Sequence, residues 1–443
     1  MALGNVFMTD TDGNIGSGLK VSDAEKICGL LFDISAQADF WTKGQGAEAA
    51  TNLQDTVVEL NTLEDAESLG IVAYKGTNDS EGNTEDFLMG TPHYHIKQFF
   101  QAAGGEGRLY VCFADCSSNW NALIDMQKAA NGMIGQIGVW TEKNLWRQTD
   151  GSAEFYALDL VTDLQAVAKN LADDYYAPVS ILLSANTAQV ATTSSSLDTV
   201  TMSKIPSCIK KARYVSVVLG QAVDTTVHAM QAALDSKTPV GVLGVALGLL
   251  SGANVGVSIG WVQEFDLSEW VPSAEFGFGD ATVVEGAIKN PTRYSAVTRR
   301  QLDDLDDKGY IFVRAYEGLE GRTYFNKDTA CSDGDYCSIS RNRVINKSRR
   351  LVRQALLPYV NSPLKVDPAT GNLSVAQAAV FTNLVTSVLQ MMENAEEISS
   401  IGTVNVPTAQ NILQTKRLDL SYTIIPLGCA EAIYVKEGLA VSQ

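Results

Sequence analysis

Residues 162–184 read TDLQAVAKNLADDYYAPVSILLS, and this stretch decides the fold. Leu164, Val167, Ala168 and Leu171 fall at i, i+3, i+4 and i+7, one apolar face of a helix opened by a Thr162 or Asp163 cap. Pro178 to Ser184 then loses the helical period and becomes short and β-rich, as a strand does. The same signature recurs at Arg108–Ala114 (RLYVCFA), Ile134–Trp140 (IGQIGVW) and Arg213–Gly220 (RYVSVVLG), each bounded by polar or glycine turns. Strands that alternate with helices and carry near-continuous apolar runs predict an α/β unit with a mostly parallel, two-sided sheet.

On the N-terminal side, residues 1 to about 20 are polar and glycine-rich around Val6-Phe7-Met8 and read as an extended arm. They lack the basic start and long apolar run of a secretory signal, so the chain is expected to fold where it is made. Downstream, Pro239 to Trp261 carries no charge, and Gly244, Gly248, Gly252, Gly256 and Gly260 recur every four residues. That spacing suits close packing of membrane helices. Ser251, Asn254, Ser258 and the acidic flank Glu264, Asp266 and Glu269 oppose a span. The expectation is a buried helix followed by a buried strand.

The C-terminal quarter reads differently. Ser340 can cap a helix that Pro358 stops, with Val344, Ile345, Leu351, Val352, Ala355 and Leu356 on its apolar side. Ser374-x-x-Gln377 is a capping-box pattern opening a second helix, whose face is Val380, Phe381, Leu384, Val385, Val388, Leu389 and Met392. Tyr422–Pro426 and Ala430–Val435 are strand-like. The predicted organisation is an N-terminal arm (1–21), an outer α/β domain (22–298), a C-terminal α+β assembly domain (299–420) and a strand arm (421–443).

Chemistry is hard to find. With 33 Lys plus Arg against 51 Asp plus Glu, the chain carries −18, the wrong sign for gripping phosphates, so nucleic acid is not an expected partner. Seven Cys, an odd number spread over 443 residues, do not form a disulfide scaffold. Cys112-x3-Cys116 with His93 and His95 upstream, and Cys331-x5-Cys337, lack the paired spacing of a zinc site, and no metal or cofactor is expected. No nucleophile elbow, phosphate loop or HExxH helix occurs. An enzyme would have to gather Asp115, Asn186, Gln221, Asp224 and His228 beyond the strand ends.

The main charge anomaly is the first C-terminal helix. Arg341, Arg343, Lys347, Arg349, Arg350 and Arg353 place six cations and no acid within 13 residues of an acidic chain. A solvated face competes with a docking surface for a tube or a neighbouring subunit, and the cluster favours the latter. On that reading, replacing Arg349, Arg350 and Arg353 by Glu should spare thermal stability. Acidic runs at Asp303–Asp307 and Glu393–Glu397 are candidate counterparts; the second follows a helix C-terminus, where the dipole disfavours anions.

The order of features resembles the contractile-tail sheath family of phage tails, R-type bacteriocins and related injection systems. The similarity rests on Leu60-Asn-Thr-Leu-Glu-Asp-Ala66 with Leu69-Gly70, Phe99-Phe-Gln-Ala-Ala-Gly-Gly105 before the strand from Arg108, and the apolar segment ending Ser258-Ile-Gly-Trp261. It continues through Gly309-Tyr-Ile-Phe-Val313, Gly321-Arg-Thr-Tyr324, Ser340-Arg-Asn-Arg343, Val404-Asn-Val-Pro407 with Gln410-Asn-Ile-Leu413, and Ile425-Pro-Leu-Gly428. The resemblance implies a non-enzymatic subunit that stacks as hexameric rings around an inner tail-tube protein and contracts. It also implies baseplate and tail terminator proteins as partners, no membrane insertion, and a particle assembled in the bacterial cytoplasm. The arms exchanged between subunits would include Val6, Phe7, Tyr422, Ile424, Ile433 and Val435. A tail-tube or capsid protein, or an α/β enzyme, are the rival readings.

Overall fold

The computed structural model describes residues 24–35, 53–73, 90–105, 107–141, 143, 146–148, 155–157, 160–185, 206–219, 241–271, 277–278, 282–284, 287–289, 292–293 and 297–439. The N-terminal arm, Val6 and Phe7 with it, lies outside these residues. A seven-stranded sheet organises the larger part. Its strands are β1 (Ile27–Asp33), β2 (Val57–Leu60), β3 (Arg108–Ala114), β4 (Gln136–Trp140), β5 (Ser180–Ala185), β6 (Val215–Leu219) and β7 (Tyr310–Ile311), in the order β7-β6-β5-β4-β1-β3-β2. All pairings are parallel except β2 with β3. The α/β reading with a mostly parallel sheet therefore holds.

The four predicted strands are present, three of them with slightly trimmed starts, but the interior strand β1 carried no prediction. Its sequence ICGLLFD is buried at every position, as expected of a strand covered on both faces. One face is covered by α3 (Ala122–Ala129), α4 (Leu160–Asp173) and α6 (Arg299–Asp307). The other is covered by α1 (Leu63–Ser68), α2 (Gly90–Ala102) and α5 (Leu243–Gly252). Helix α4 begins at Leu160, so Thr162 and Asp163 lie in its first turn and do not cap it. Helix α1 starts at a capping box, with Thr62 accepting from Asp65 N and the Asp65 carboxylate accepting from Thr62 N.

The uncharged stretch from Pro239 resolves into α5, ten residues rising about 15 Å, half of a bilayer core. A Cβ at Gly244 would strike the carbonyl oxygen of His95, and one at Gly248 would lie 2.5 Å from that of Phe99. The four-residue glycine spacing is what lets α5 lie against the backbone of α2. Turns follow α5 where a strand was expected. Among the described residues, the helix that is long and apolar enough to cross a membrane is instead α8 (Val375–Asn394), and its Phe381, Val385, Val388, Leu389 and Met392 lie in the protein core.

The C-terminal part contains α7 (Ile339–Leu356), α8, β8 (Ile398–Asn405), α9 (Ile412–Thr415) and β9 (Ser421–Pro426). Val344, Leu351 and Val352 of α7 pack against α8 and Ile398, with Ile401, Val404, Tyr422 and Ile424 closing over them. Ser374 caps α8 by accepting from Gln377 N at 3.2 Å, where the sequence placed it. The cap of α7 is Ser338, two residues before the predicted Ser340. Ser340 gives its N–H to the buried Asp328 carboxylate at 2.8 Å, an anion placed at the positive end of the helix.

Candidate assembly surface

In an open parallel sheet, ligands bind beyond the carboxyl ends of the strands where the order reverses, here between β1 and its neighbours β3 and β4. That crevice is filled from within. Asp33, ending β1, is 2% exposed and accepts from Cys116 N at 3.1 Å, Ser35 N at 3.0 Å and the Thr141 hydroxyl at 2.8 Å. Lys143 lies 3.4 Å from the same carboxylate, donates to the Cys116 carbonyl at 2.6 Å and sits 4.7 Å over the Trp120 ring. Among the sequence candidates, Asp115 is exposed and accepts from Ser117 N at 2.8 Å, which holds its carboxyl below the usual range. Asn186, Gln221, Asp224 and His228 lie outside the described residues.

Cys112 and the two histidines do not converge. Cys112 and Cys116 face the α3 layer, where burial pushes the Cys112 thiol up to about 12 and the Cys116 thiol higher still. On the opposite side of the sheet, His93 pairs with Glu67 at 2.9 Å, and His95 is fully buried beside Phe32, its pKa pushed down to about 3 by desolvation. Among the described residues no cluster suited to a metal occurs.

Helix α7 corrects the reading of six outward cations. Arg343, Lys347 and Arg350 are buried inside the chain itself. Arg343 donates to the carbonyls of Leu250 (2.7 Å), Ala253 (3.2 Å) and Asn254 (3.4 Å) at the C-terminal end of α5, and to that of Glu25 at 3.2 Å. A guanidinium there satisfies orphan carbonyls and the negative end of the helix dipole. Arg350 pairs with the buried Glu25 carboxylate and donates to the carbonyls of Ile134 (3.0 Å) and Pro178. Gln136 supplies a further bond to Glu25 at 3.0 Å. Lys347 pairs with Glu397, so the anion set against the α8 dipole finds its cation in the same chain. Arg350 and Lys347 each meet a carboxylate and Arg343 meets carbonyls, while Nε of Arg343 and of Arg350 and Oε2 of Glu397 find no hydrogen-bond partner among the described residues, so the contacts offset part of the cost of dehydrating the charges.

Three cations remain nearer the surface. Arg349 is exposed and donates to the Tyr214 hydroxyl at 2.9 Å, and Arg353 stacks 4.0 Å over the Tyr176 ring. Arg341 is half-buried, 3.5 Å from the Asp335 carbonyl. Sequence reasoning missed Glu25 altogether. The spacing of Arg343, Lys347 and Arg350, i, i+4 and i+7, did mark one helix face, and it is the buried one.

The other candidate surface is the small sheet. Strands β8 and β9 pair antiparallel, from Ile398 with Pro426 to Asn405 with Ser421, with two irregularities between. They form a two-stranded sheet, so each strand is also an edge. Tyr422 and Ile424, expected in an arm exchanged between subunits, lie in β9, which pairs with β8 within the chain, and both side chains pack on the α7–α8 core. Beyond Pro426 the described chain forms no helix or strand and is exposed, with Ile433, Tyr434 and Val435 79–93% accessible.

Comparison with known proteins agrees with this architecture. No curated protein matches the sequence. Over its whole length the chain shares its fold with a chain of the anti-feeding prophage (AFP) baseplate, at TM-score 0.53 and 13% identity, covering 100% of both. It likewise shares the fold of the PVC sheath complex of an extracellular contractile injection system in the contracted state, at TM-score 0.55 and 10% identity, covering 100% of this chain and 98% of that one. Family models match at residues 3–328 (DUF2586, N-terminal domain) and 335–443 (DUF2586, C-terminal domain). The chain belongs to the DUF2586 family, on a fold shared with contractile-sheath proteins.

Proposed function

We propose that the protein is a structural subunit of a contractile sheath, polymerising as stacked hexameric rings around an inner tube, with baseplate and terminator proteins at the ends. The observation that carries this reading is the two-stranded β8–β9 sheet, whose two outer edges bear no further strand among the described residues. An extended segment of a neighbour satisfies its backbone groups on such an edge. The donors in this reading are the N-terminal arm around Val6 and Phe7 and the exposed tail around Ile433 and Val435. The fold shared with the PVC sheath complex and the internally satisfied crevice at Asp33 support a mechanical, non-catalytic role in a particle assembled in the bacterial cytoplasm. Contraction would exchange some contacts for more extensive ones, making the extended lattice the higher-energy state.

The fold shared with a chain of the AFP baseplate favours a second reading, a ring at the base of such a particle. Negative-stain microscopy of the purified full-length chain, alone and with its inner tube protein, separates the readings. Striated cylinders of large bore are the expected result. Isolated rings on tube ends would favour the baseplate reading, and smooth narrow tubes or closed shells the tail-tube or capsid one. A persistent small oligomer under all conditions would overturn the sheath reading.

A further inference from the structure

Arg349 does not stand alone at the surface. Its guanidinium donates to the Tyr214 hydroxyl at 2.9 Å, and that of Arg213 donates to the same oxygen at 2.8 Å. Arg213 comes from the turn before β6 and Arg349 from α7, so two segments far apart in sequence bring their cations to one phenol oxygen. Stacking holds Arg213 in place, 4.4 Å over the Tyr214 ring and 4.1 Å over that of Tyr336. Exposed Lys210 and Lys211 precede it. Like charges held this close repel, and a neutral hydroxyl does not cancel them. Among the described residues, neither Arg213 nor Arg349 has a carboxylate within ion-pair distance, and neither does Arg353, one turn further along α7. In a chain of net charge −18, a cationic pair without an acid of its own suits an acidic partner.

We propose that the Arg213–Arg349 pair receives the acidic face of α6 from a second copy of this chain. Helix α6 ends in Asp303-Asp304-Leu305-Asp306-Asp307, at the turn where its dipole disfavours anions. Two of these acids are neutralised at home, Asp304 by Lys308 at 2.6 Å and Asp306 by Lys327 at 2.9 Å. Asp303 and Asp307 are exposed, stand at i and i+4 on one face, and have no ion-pair partner among the described residues. Two carboxylates one turn apart suit two guanidinium groups that meet at one oxygen, each with N–H groups left for an incoming carboxylate. The basic pair and the acidic pair do not meet within one chain, so the contact joins unlike surfaces of two copies. A heterologous contact of that kind propagates, closing as a ring or continuing as a helix. The inference rests on the self-assembly proposed above and names one contact by which it proceeds.

The test is a charge swap in the full-length chain, read as the critical concentration for assembly by sedimentation at low salt. Arg213→Glu with Arg349→Glu should raise that concentration roughly a hundredfold, and so should Asp303→Arg with Asp307→Arg. Mixing the two variants, or combining all four changes in one chain, should restore assembly. Arg213→Gln with Arg349→Gln keeps donors to Tyr214, should leave the thermal midpoint unchanged, and should raise the concentration about tenfold. Cylinders formed equally well by the Glu and Gln variants would overturn this contact and leave the sheath reading standing. A defect seen only when inner tube protein is added would seat the pair on the tube and also overturn it, as would a swap that restores nothing or a wild type that stays monomeric. Small closed oligomers that obey the swap would uphold the contact and remove the sheath.

Discussion

The seven-stranded sheet and the β8–β9 sheet treat their edges in opposite ways. In the seven-stranded sheet the long strands are central, and the edges are β2, four residues carrying Glu59, and β7, only two. Short, charged edges discourage pairing with another chain. In the C-terminal sheet both strands are edges, eight and six residues long, with β9 alternating exposed and half-buried positions. A two-stranded sheet is marginal by itself and gains from a third strand or from helical backing. Here α7 and α8 back one face, while neither outer edge bears a further strand among the described residues. On the proposed reading, the difference marks where the protein is finished as a monomer and where a neighbour's strand would add.

That contrast can be broken most forcefully at the finished end. Glu25→Ala or Arg350→Ala leaves one member of a buried pair alone and should cost about 3–5 kcal/mol in chemical denaturation. The triple charge reversal that the sequence suggested as harmless is therefore expected to unfold the protein through Arg350. By contrast, Arg353→Ala, removing only the exposed stack on Tyr176, should cost about 0.5–1 kcal/mol. Gly244→Val comes next: the side chain meets the His95 backbone, and separating α5 from α2 should cost about 1–3 kcal/mol, read as a lower thermal midpoint.

A smaller effect is expected from His95. Its folded pKa, about 3, lies below its unfolded value near 6.5, so the unfolded chain binds the extra proton. The stability it contributes is complete above pH 6.5 and is lost as pH falls from there toward 3, with a limiting slope of about 1.4 kcal/mol per unit. Denaturation between pH 7 and 5.5 should show this loss, and His95→Gln should flatten it. At the unfinished end, deleting residues 427–443 should change stability by less than about 0.5 kcal/mol. The same deletion should abolish long cylinders under the microscope; cylinders of normal length would remove the tail from the assembly scheme.

Much of the large sheet was legible because buried parallel strands announce themselves as apolar runs: RLYVCFA at 108–114 is β3 to the residue. Strand β1 has an equally apolar sequence, but a polar, glycine-rich arm before it and one acidic residue at its end obscured it. The C-terminal site was harder for a different reason. Charge in a sequence carries no label for burial, and the partner that turns Arg350 inward lies 325 residues away. Tyr422 and Ile424 were recognised as strand residues, yet strand propensity cannot say whose edge a strand will join. Their home partner, β8, became visible only in three dimensions.

Helix α7 also has a mechanical meaning. Glu25 stands close behind the N-terminal segment, and Glu397 stands directly before β8. Arg350 holds the first and Lys347 the second, three residues apart on one helix. In the proposed sheath, tension arriving from the N-terminus would thus pass through less than one turn of α7 into the small sheet, bypassing the long covalent route between them. The helix is a short strut joining the two ends by which such a chain would be pulled.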